Sequence, residues 1–425
     1  MFRDKMKRRS RSENEESEDR LSDLPDCILI YILSFLKTEN AVQTCILSTR
    51  WKHLWKRIPK LLLRSSTLFC LEDEKFLTFV SKILTLRDNS AALHILDFEC
   101  DTDHESELVP KILNYVRSHN TQIQQLGISI TRDSDLLMPC VSSCLALTSL
   151  MLSVYHIRHV VYPETIIFPK SLNLPALTSL GLVGFTFCGD ENGCAEPFSA
   201  FTKLNNLLIK DCIIKDAQIL RISSKTLDSL SMSYNLFDFN KIELAAPNLC
   251  TFTFCGTLDQ KIYASGFSSV KEVNNGTPDQ KIYGSGFSSV KEVNIDAKMF
   301  SEFDKSPMIL LCWLLDLANL ESLTVTSKTL QILSLVPNLL EVKLPSLSNL
   351  KSMEIKLEPL EDHTKLLYLV KEAMLKKAAA KSRKEASKLR KAFKAGLRPP
   401  SVPDGIVDFL LQNSPSAKVN ITSDY

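Results

Sequence analysis

Apolar residues recur along this chain in two rhythms. In the first, from residue 24 to residue 58, they follow the helical period: Ile28, Leu29, Ile32, Leu33 and Leu36 come behind Pro25, and Trp51, Leu54, Trp55 and Ile58 behind Ser48. Pro25 suits a first helical turn, Thr38 can cap a second helix running to Leu47, and Ser48 can cap a third. Three short helices are therefore predicted, each marginal on its own. Their apolar residues exceed one stripe, because Ile28 and Ile32 lie on a different face from Leu29, Leu33 and Leu36. A unit of about 40 residues cannot bury both faces internally. Either a partner protein covers the excess, or the unit is a helical cap on the domain that follows.

In the second rhythm one apolar residue is followed by another three positions on and a third two further. It reads Leu93/Leu96/Phe98, Ile123/Leu126/Ile128, Leu147/Leu150/Leu152, Leu177/Leu180/Leu182, Leu204/Leu207/Ile209, Leu227/Leu230/Met232, Leu249/Phe252/Phe254, Val290/Val293/Ile295, Leu320/Leu323/Val325 and Leu339/Val342/Leu344. Consecutive middle positions lie 19 to 30 apart, except across the duplicated segment between Phe252 and Val293, against the roughly 20 to 29 residues of a leucine-rich repeat. Each unit would supply one short strand to a parallel sheet, stable only when stacked on its neighbours, so the pattern predicts a solenoid. Residues 256–274 and 276–294 are one segment written twice, differing only at Leu258 against Pro278 and Ala264 against Gly284. An inserted unit disturbs only its neighbours in such a stack. The copy is equally well read as an added repeat or as a duplication without a role.

Residues between the inward apolar ones face the other side of the sheet, the concave side in a curved solenoid. Ser229, Ser231, Thr251, Thr253, Ser322 and Thr324 are the candidate substrate-binding residues there, hydroxyl donors and acceptors suited to a protein surface. Ser and Thr also simply suit exposed strands.

The first rhythm carries a specific motif. Leu24-Pro25-Asp26 leads into Ile32-Leu33-Ser34-Phe35-Leu36; Ala41-Val42 follows, and then Leu47-Ser48 with Arg50-Trp51 and Leu54-Trp55. Over some 40 positions this resembles the F-box of the plant F-box, leucine-rich-repeat and FBD proteins. The resemblance implies a non-catalytic substrate-recognition subunit of a cullin-type SCF ubiquitin ligase. The F-box would bind a Skp-type adaptor, and through it a cullin and a RING subunit; the repeats would hold an unknown protein substrate. Carried onto this chain, Leu24, Pro25, Ile28, Ile32, Leu33, Leu36, Val42, Leu47, Arg50, Trp51, Leu54 and Trp55 are the candidate adaptor-binding and core positions. A leucine-rich-repeat scaffold acting without a ligase is the competing reading.

The expected fold is α/β: a charged arm over 1–19, the F-box over 20–63, a helical linker over 64–90, the repeats over 91–357, and a basic helix with an FBD-like segment over 358–425. The N-terminus is charged and lacks the apolar stretch of a signal peptide, and the longest apolar run, Met308 to Leu315, is too short to span a bilayer. A cytoplasmic or nuclear protein without a membrane segment is expected, its 12 Cys mostly free thiols. Cys140 with Cys144, Cys250 with Cys255, and His94, Cys100 and His104 lack the spacing of a zinc site, so neither metal nor cofactor is expected. With no nucleophile and base constellation, no catalytic residue is assigned.

Lys and Arg number 51 against 49 Asp and Glu, so charge acts only locally. Residues 371–398 concentrate eleven Lys or Arg against two Glu and predict one helix ending near Gly396. It reads as a solvated helix, as an import signal or dock for an acidic partner, or as a contact for nucleic acid. With a single Phe for stacking, nucleic acid is the least favoured.

Overall fold

The computed structural model describes residues 21, 23–65, 73–101, 105–131, 134–155, 166–234, 241–257, 262–264, 289–299, 306–361 and 364–423. The arm over 1–19 and most of the duplicated segment lie outside them. Helices α1 (Asp26–Ser34), α2 (Thr38–Gln43) and α3 (Trp51–Leu54) come first, the last two each continued by a 3-10 turn. After them β1 (Lys60–Arg64), α4 (Asp73–Leu86), β2 (Ile95–Glu99), α5 (Glu105–Ser118), β3 (Gln125–Ile130), α6 (Leu137–Ser142) and β4 (Ser149–Val154) alternate. A run of strands follows: β5 (Ile166–Ile167), β6 (Ser179–Val183), β7 (Phe185–Cys188), β8 (Cys194–Ala195), β9 (Asn206–Lys210), β10 (Ile213–Lys215), β11 (Ile219–Ser223), β12 (Ser229–Ser233), β13 (Lys241–Ala245), β14 (Thr251–Thr257), β15 (Ile262–Ala264) and β16 (Glu292–Lys298). The rest is α7 (Ser306–Asp316), β17 (Ser322–Thr326), α8 (Ser327–Leu333), β18 (Ser352–Leu357), α9 (Lys365–Lys381), α10 (Arg383–Lys394), α11 (Ile406–Leu410) and β19 (Lys418–Ser423).

Twelve strands form one sheet in the order β1-β2-β3-β4-β6-β9-β12-β14-β16-β17-β18-β19, every neighbouring pair parallel. The result is a mixed α/β fold around a parallel ladder. Its register is constant: Leu61, Leu96, Leu126, Leu150, Leu180, Leu207, Leu230, Phe252, Val293, Leu323 and Met353 are paired along the ladder, and all are buried. Parallel strands need long crossovers, and these close the core from the other side. Helices α4, α5 and α6 make the first returns. In the middle, two small parallel sheets, β10-β7-β5 and β15-β13-β11-β8, take their place. Phe168, Phe185, Phe187, Phe198 and Phe201 pack there with ring centroids 5.4–6.4 Å apart.

The N-terminal helices run straight into the ladder. The Leu62 N–H on the edge strand β1 donates to Thr38 Oγ1 at 2.7 Å, so the hydroxyl expected to cap α2 instead satisfies a strand amide. The buried Arg87 guanidinium, just past α4, donates to the carbonyls of Ile58 (3.1 Å), Ala92 (2.8 Å) and Ala91 (3.1 Å) and lies 3.3 Å from the Tyr115 hydroxyl. One side chain thus ties α3, α4, α5 and the approach to β2 together, offsetting part of its desolvation with charge-assisted hydrogen bonds.

Two expectations are corrected. Leu339/Val342/Leu344 is no strand: Asn338 adopts a left-handed φ of 51°, Leu339–Glu341 is a 3-10 turn, and Pro345, which has no N–H for a ladder, opens another. The ladder strand comes later, at β18, with Met353 and Ile355 buried. The basic stretch is two helices. Ser382 is extended at the break and caps α10, its Oγ accepting from Lys384 N at 3.2 Å. The closing segment supplies the last strand, β19.

Strand β14 pairs directly with β16, Thr251 opposite Glu292 and Phe254 opposite Ile295. No ladder strand stands between them, although the duplicated segment does so in sequence. Deleting residues 256–275 joins Cys255 to Gly276-Thr277, which restores the end of β14, and puts Ile282-Tyr283-Gly284 in the place of β15. The deletion is expected to melt cooperatively within about 2 °C of the full chain, the shift that roughly 1 kcal/mol produces. Loss of a single cooperative transition in differential scanning calorimetry would contradict the direct β14–β16 pairing.

Candidate functional site

Two surfaces stand out. The first is the outer face of α1, whose two apolar faces part company in the fold. Leu29 and Leu33 are wholly buried, whereas Ile28 (43% exposed), Tyr31 (62%), Ile32 (37%) and Phe35 (69%) form an outward stripe at spacings of three, four and seven. Tyr31 and Phe35 meet edge to face with centroids 4.9 Å apart. Ile46 and Leu47, beyond α2, are exposed as well. Six large apolar side chains open to water in so short a unit mark an interaction surface. Covering them would contribute on the order of 5–10 kcal/mol before the costs of association.

The sequence-chosen positions divide accordingly. Pro25, Ile28, Ile32 and Leu47 are exposed; Leu24, Leu36, Val42 and Arg50 are half-buried; Leu33, Trp51, Leu54 and Trp55 belong to the core. Arg50 holds the entry to α1, donating from Nε to Asp26 Oδ1 at 2.8 Å and from Nη2 to the Leu24 carbonyl. Tyr31, Phe35 and Ile46 were missed. The 28/31/32/35 spacing was the available signal for the first two, but it takes an observed core to tell which apolar face of α1 is the outer one.

The second surface is the ladder face away from the core. Its register sets Ser229 beside Thr251 and Ser231 beside Thr253, while Glu292 and Asn294 on β16 separate these from Ser322 and Thr324. The six chosen hydroxyls therefore occupy two rows on three strands, interrupted by β16, and all are half-buried. Ser322 accepts from Ser352 Oγ at 3.1 Å, extending one row to β18. Towards the strand ends the rows become charged. Asp296 takes hydrogen bonds from Cys255 Sγ (3.1 Å) and Thr326 Oγ1 (3.2 Å) and an ion pair from Lys298 (2.9 Å), while Glu358 pairs with Lys328 (3.1 Å). Burial, with Asp296 beside it, pushes the Cys255 thiol up to about 11, and hydrogen bonding to Cys255 pushes the Tyr234 phenol up to about 12. At neutral pH neither supplies an anionic nucleophile. The earlier strands of this face went unread in the sequence. There Gly181 leaves room for Met151, since a Cβ on it would collide with the Met151 sulfur.

Among the described residues no group of three or more His, Cys, Asp or Glu is placed to hold a metal ion, and no helix is long and apolar enough to cross a membrane. The Cys140 thiol, beside Cys144 and buried, is raised far above the ordinary range.

The α1–α3 unit and the strand it feeds coincide with a known module: residues 21–63 match the F-box domain. The chain carries an F-box domain and is a relative of plant F-box/LRR-repeat and FBD-associated F-box proteins. F-box/LRR-repeat protein 13 of Arabidopsis thaliana is 28% identical over 221 residues, 51% of this chain and 46% of that protein. A second F-box/LRR-repeat protein of the same plant is 29% identical over 267 residues, 61% of this chain and 67% of its own length. An FBD-associated F-box protein is 30% identical over 178 residues, 41% of this chain and 37% of that relative. The match to the first of these relatives thus spans about half of its length.

The partition of α1 gives a stability test. Leu33→Ala is expected to cost about 2–5 kcal/mol through the cavity it opens. Phe35→Ala should stay within about 0.5 kcal/mol of the parent. Urea unfolding followed by circular dichroism distinguishes them, and equal losses would contradict the assigned faces.

Proposed function

We propose that this chain is the substrate-recognition subunit of a cullin-type SCF ubiquitin ligase. The observation that carries this is the F-box over 21–63 presenting an uncovered apolar stripe, Ile28, Tyr31, Ile32 and Phe35. In this reading Leu24, Pro25, Ile28, Ile32, Leu36, Val42, Leu47 and Arg50 dock on a Skp-type adaptor, with Tyr31, Phe35 and Ile46 enlarging the contact. Leu33, Trp51, Leu54 and Trp55 shape that surface from beneath. The adaptor connects the chain to a cullin and a RING subunit, and the chain itself does no covalent chemistry.

We read the ladder as a leucine-rich-repeat solenoid over 91–357, with 64–90 linking it to the F-box and 358–425 as a basic and FBD-like C-terminal segment. The constant register, one strand per repeat, supports this. Ser229, Ser231, Thr251, Thr253, Ser322 and Thr324 present hydroxyls in rows on rigid strands and make up the centre of the protein-binding face. A fixed array of this kind gives specificity through geometry.

The two surfaces separate by mutation. Ile28→Asp with Ile32→Asp should abolish binding to a Skp-type adaptor in titration calorimetry while leaving the melting temperature unchanged. Ser231→Arg with Thr253→Arg should retain adaptor binding and lose the targets captured by proximity labelling. Adaptor binding that survives the α1 double mutant would sink the docking assignment and leave a repeat scaffold acting without a ligase.

A further inference from the structure

Helix α10 is two-faced, and only one face is used within the chain. Ala386, Leu389, Ala392 and Phe393 are half-buried, and Lys371 of α9 lies 5.7 Å from the Phe393 ring centroid. Arg383, Lys384, Lys388, Arg390, Lys391 and Lys394 are all exposed, and none has an ion pair among the described residues. At about 100° per residue these six cations fall within an arc of roughly 160°, along a strip about 17 Å long. The helix is held firmly at both ends. Ser382 caps its start, and Gly396, at φ 95°, closes its end with Gly396 N–H to the Phe393 carbonyl at 3.2 Å and Leu397 N–H to the Ala392 carbonyl at 3.0 Å.

Helix stability does not account for the arc. Arg383 and Lys384 occupy the first turn, where the helix dipole disfavours cations. Charge is also segregated along the chain. Residues 371–398 carry nine net positive charges, so in a chain of net charge +2 the remaining residues carry seven net negative ones. A polyanion is therefore attracted more strongly to residues 371–398 than to the rest of the chain taken together.

We propose that the outer face of α10 is a docking rail for a short acidic peptide segment of a partner protein. Lys384, Lys388 and Lys391 stand about 6 and 4.5 Å apart along the helix, within side-chain reach of carboxylates on alternate residues of an extended peptide, about 6.7 Å apart. The length of the strip favours this partner over nucleic acid. A duplex runs past both ends of a strip about 17 Å long, so most of its phosphates meet none of these cations. The outer arc offers no aromatic, Asn or Gln to stack on or read bases. This inference stands independently of the ligase reading.

The test is fluorescence anisotropy of labelled hexaglutamate, about 20 Å long when extended, against the full chain at low salt, with a DNA duplex longer than the α10 strip in parallel. The peptide should bind saturably and more tightly than the duplex. Lys384→Glu/Lys388→Glu/Lys391→Glu should weaken it at least tenfold, and the same three changes to Arg should keep it. Thermal melting and the Lys→Gln triple variant guard against misfolding. No saturable peptide binding, binding unchanged in the charge-reversed variant, or tighter binding of the duplex would each overturn the proposal.

Discussion

Parallel pairing is the constraint on which this molecule depends. A parallel strand cannot return by a tight turn, so every rung of the ladder needs a crossover, and each crossover must bury itself on the same side. The alternation of buried and open positions along each strand meets that demand, with Leu, Phe, Val or Met inward at the register positions and Ser, Thr, Asn or charged residues outward. The crossovers need only be apolar on one face. They can be helices near both ends of the ladder and short strands in the middle without disturbing the rungs.

The ladder ends differ in kind. At β1 the F-box closes the edge, with Thr38 serving the Leu62 amide and Arg87 fastening the last F-box turn to the start of β2. No flexible joint separates the two units there, since β1 begins two residues after Ile58. The apolar stripe of α1 and the outward rows of the sheet are therefore held in a set relation. At β19 the inward residues Val419 and Ile421 remain 40% and 54% exposed, although their partners Met353 and Ile355 are buried.

What could be read in the sequence was whatever repeats or is locally determined. The triads from Leu93 to Val325 became rungs because each combines three inward apolar positions with strand-forming residues. The triad at Leu339 had the same spacing and failed because Asn338 and Pro345 bend its backbone, a local veto that spacing does not express. The small side sheets escaped notice, four of their seven strands being only two or three residues long, below the length at which a period of two can be recognised. In the F-box both faces of α1 are apolar, so the division between Leu33 and Phe35 depends on what packs against them. The break at Ser382 was concealed by flanking residues that all favour helix.

The outer face of α1 is the proposed docking surface for a Skp-type adaptor. Hydrogen exchange of the full chain, with and without a Skp-type adaptor, tests it most directly. The account predicts slowed exchange over residues 26–36 and 44–50 and unchanged exchange in the ladder strands from β3 to β18. Protection centred on the ladder, or none in α1 at saturating adaptor, would contradict it.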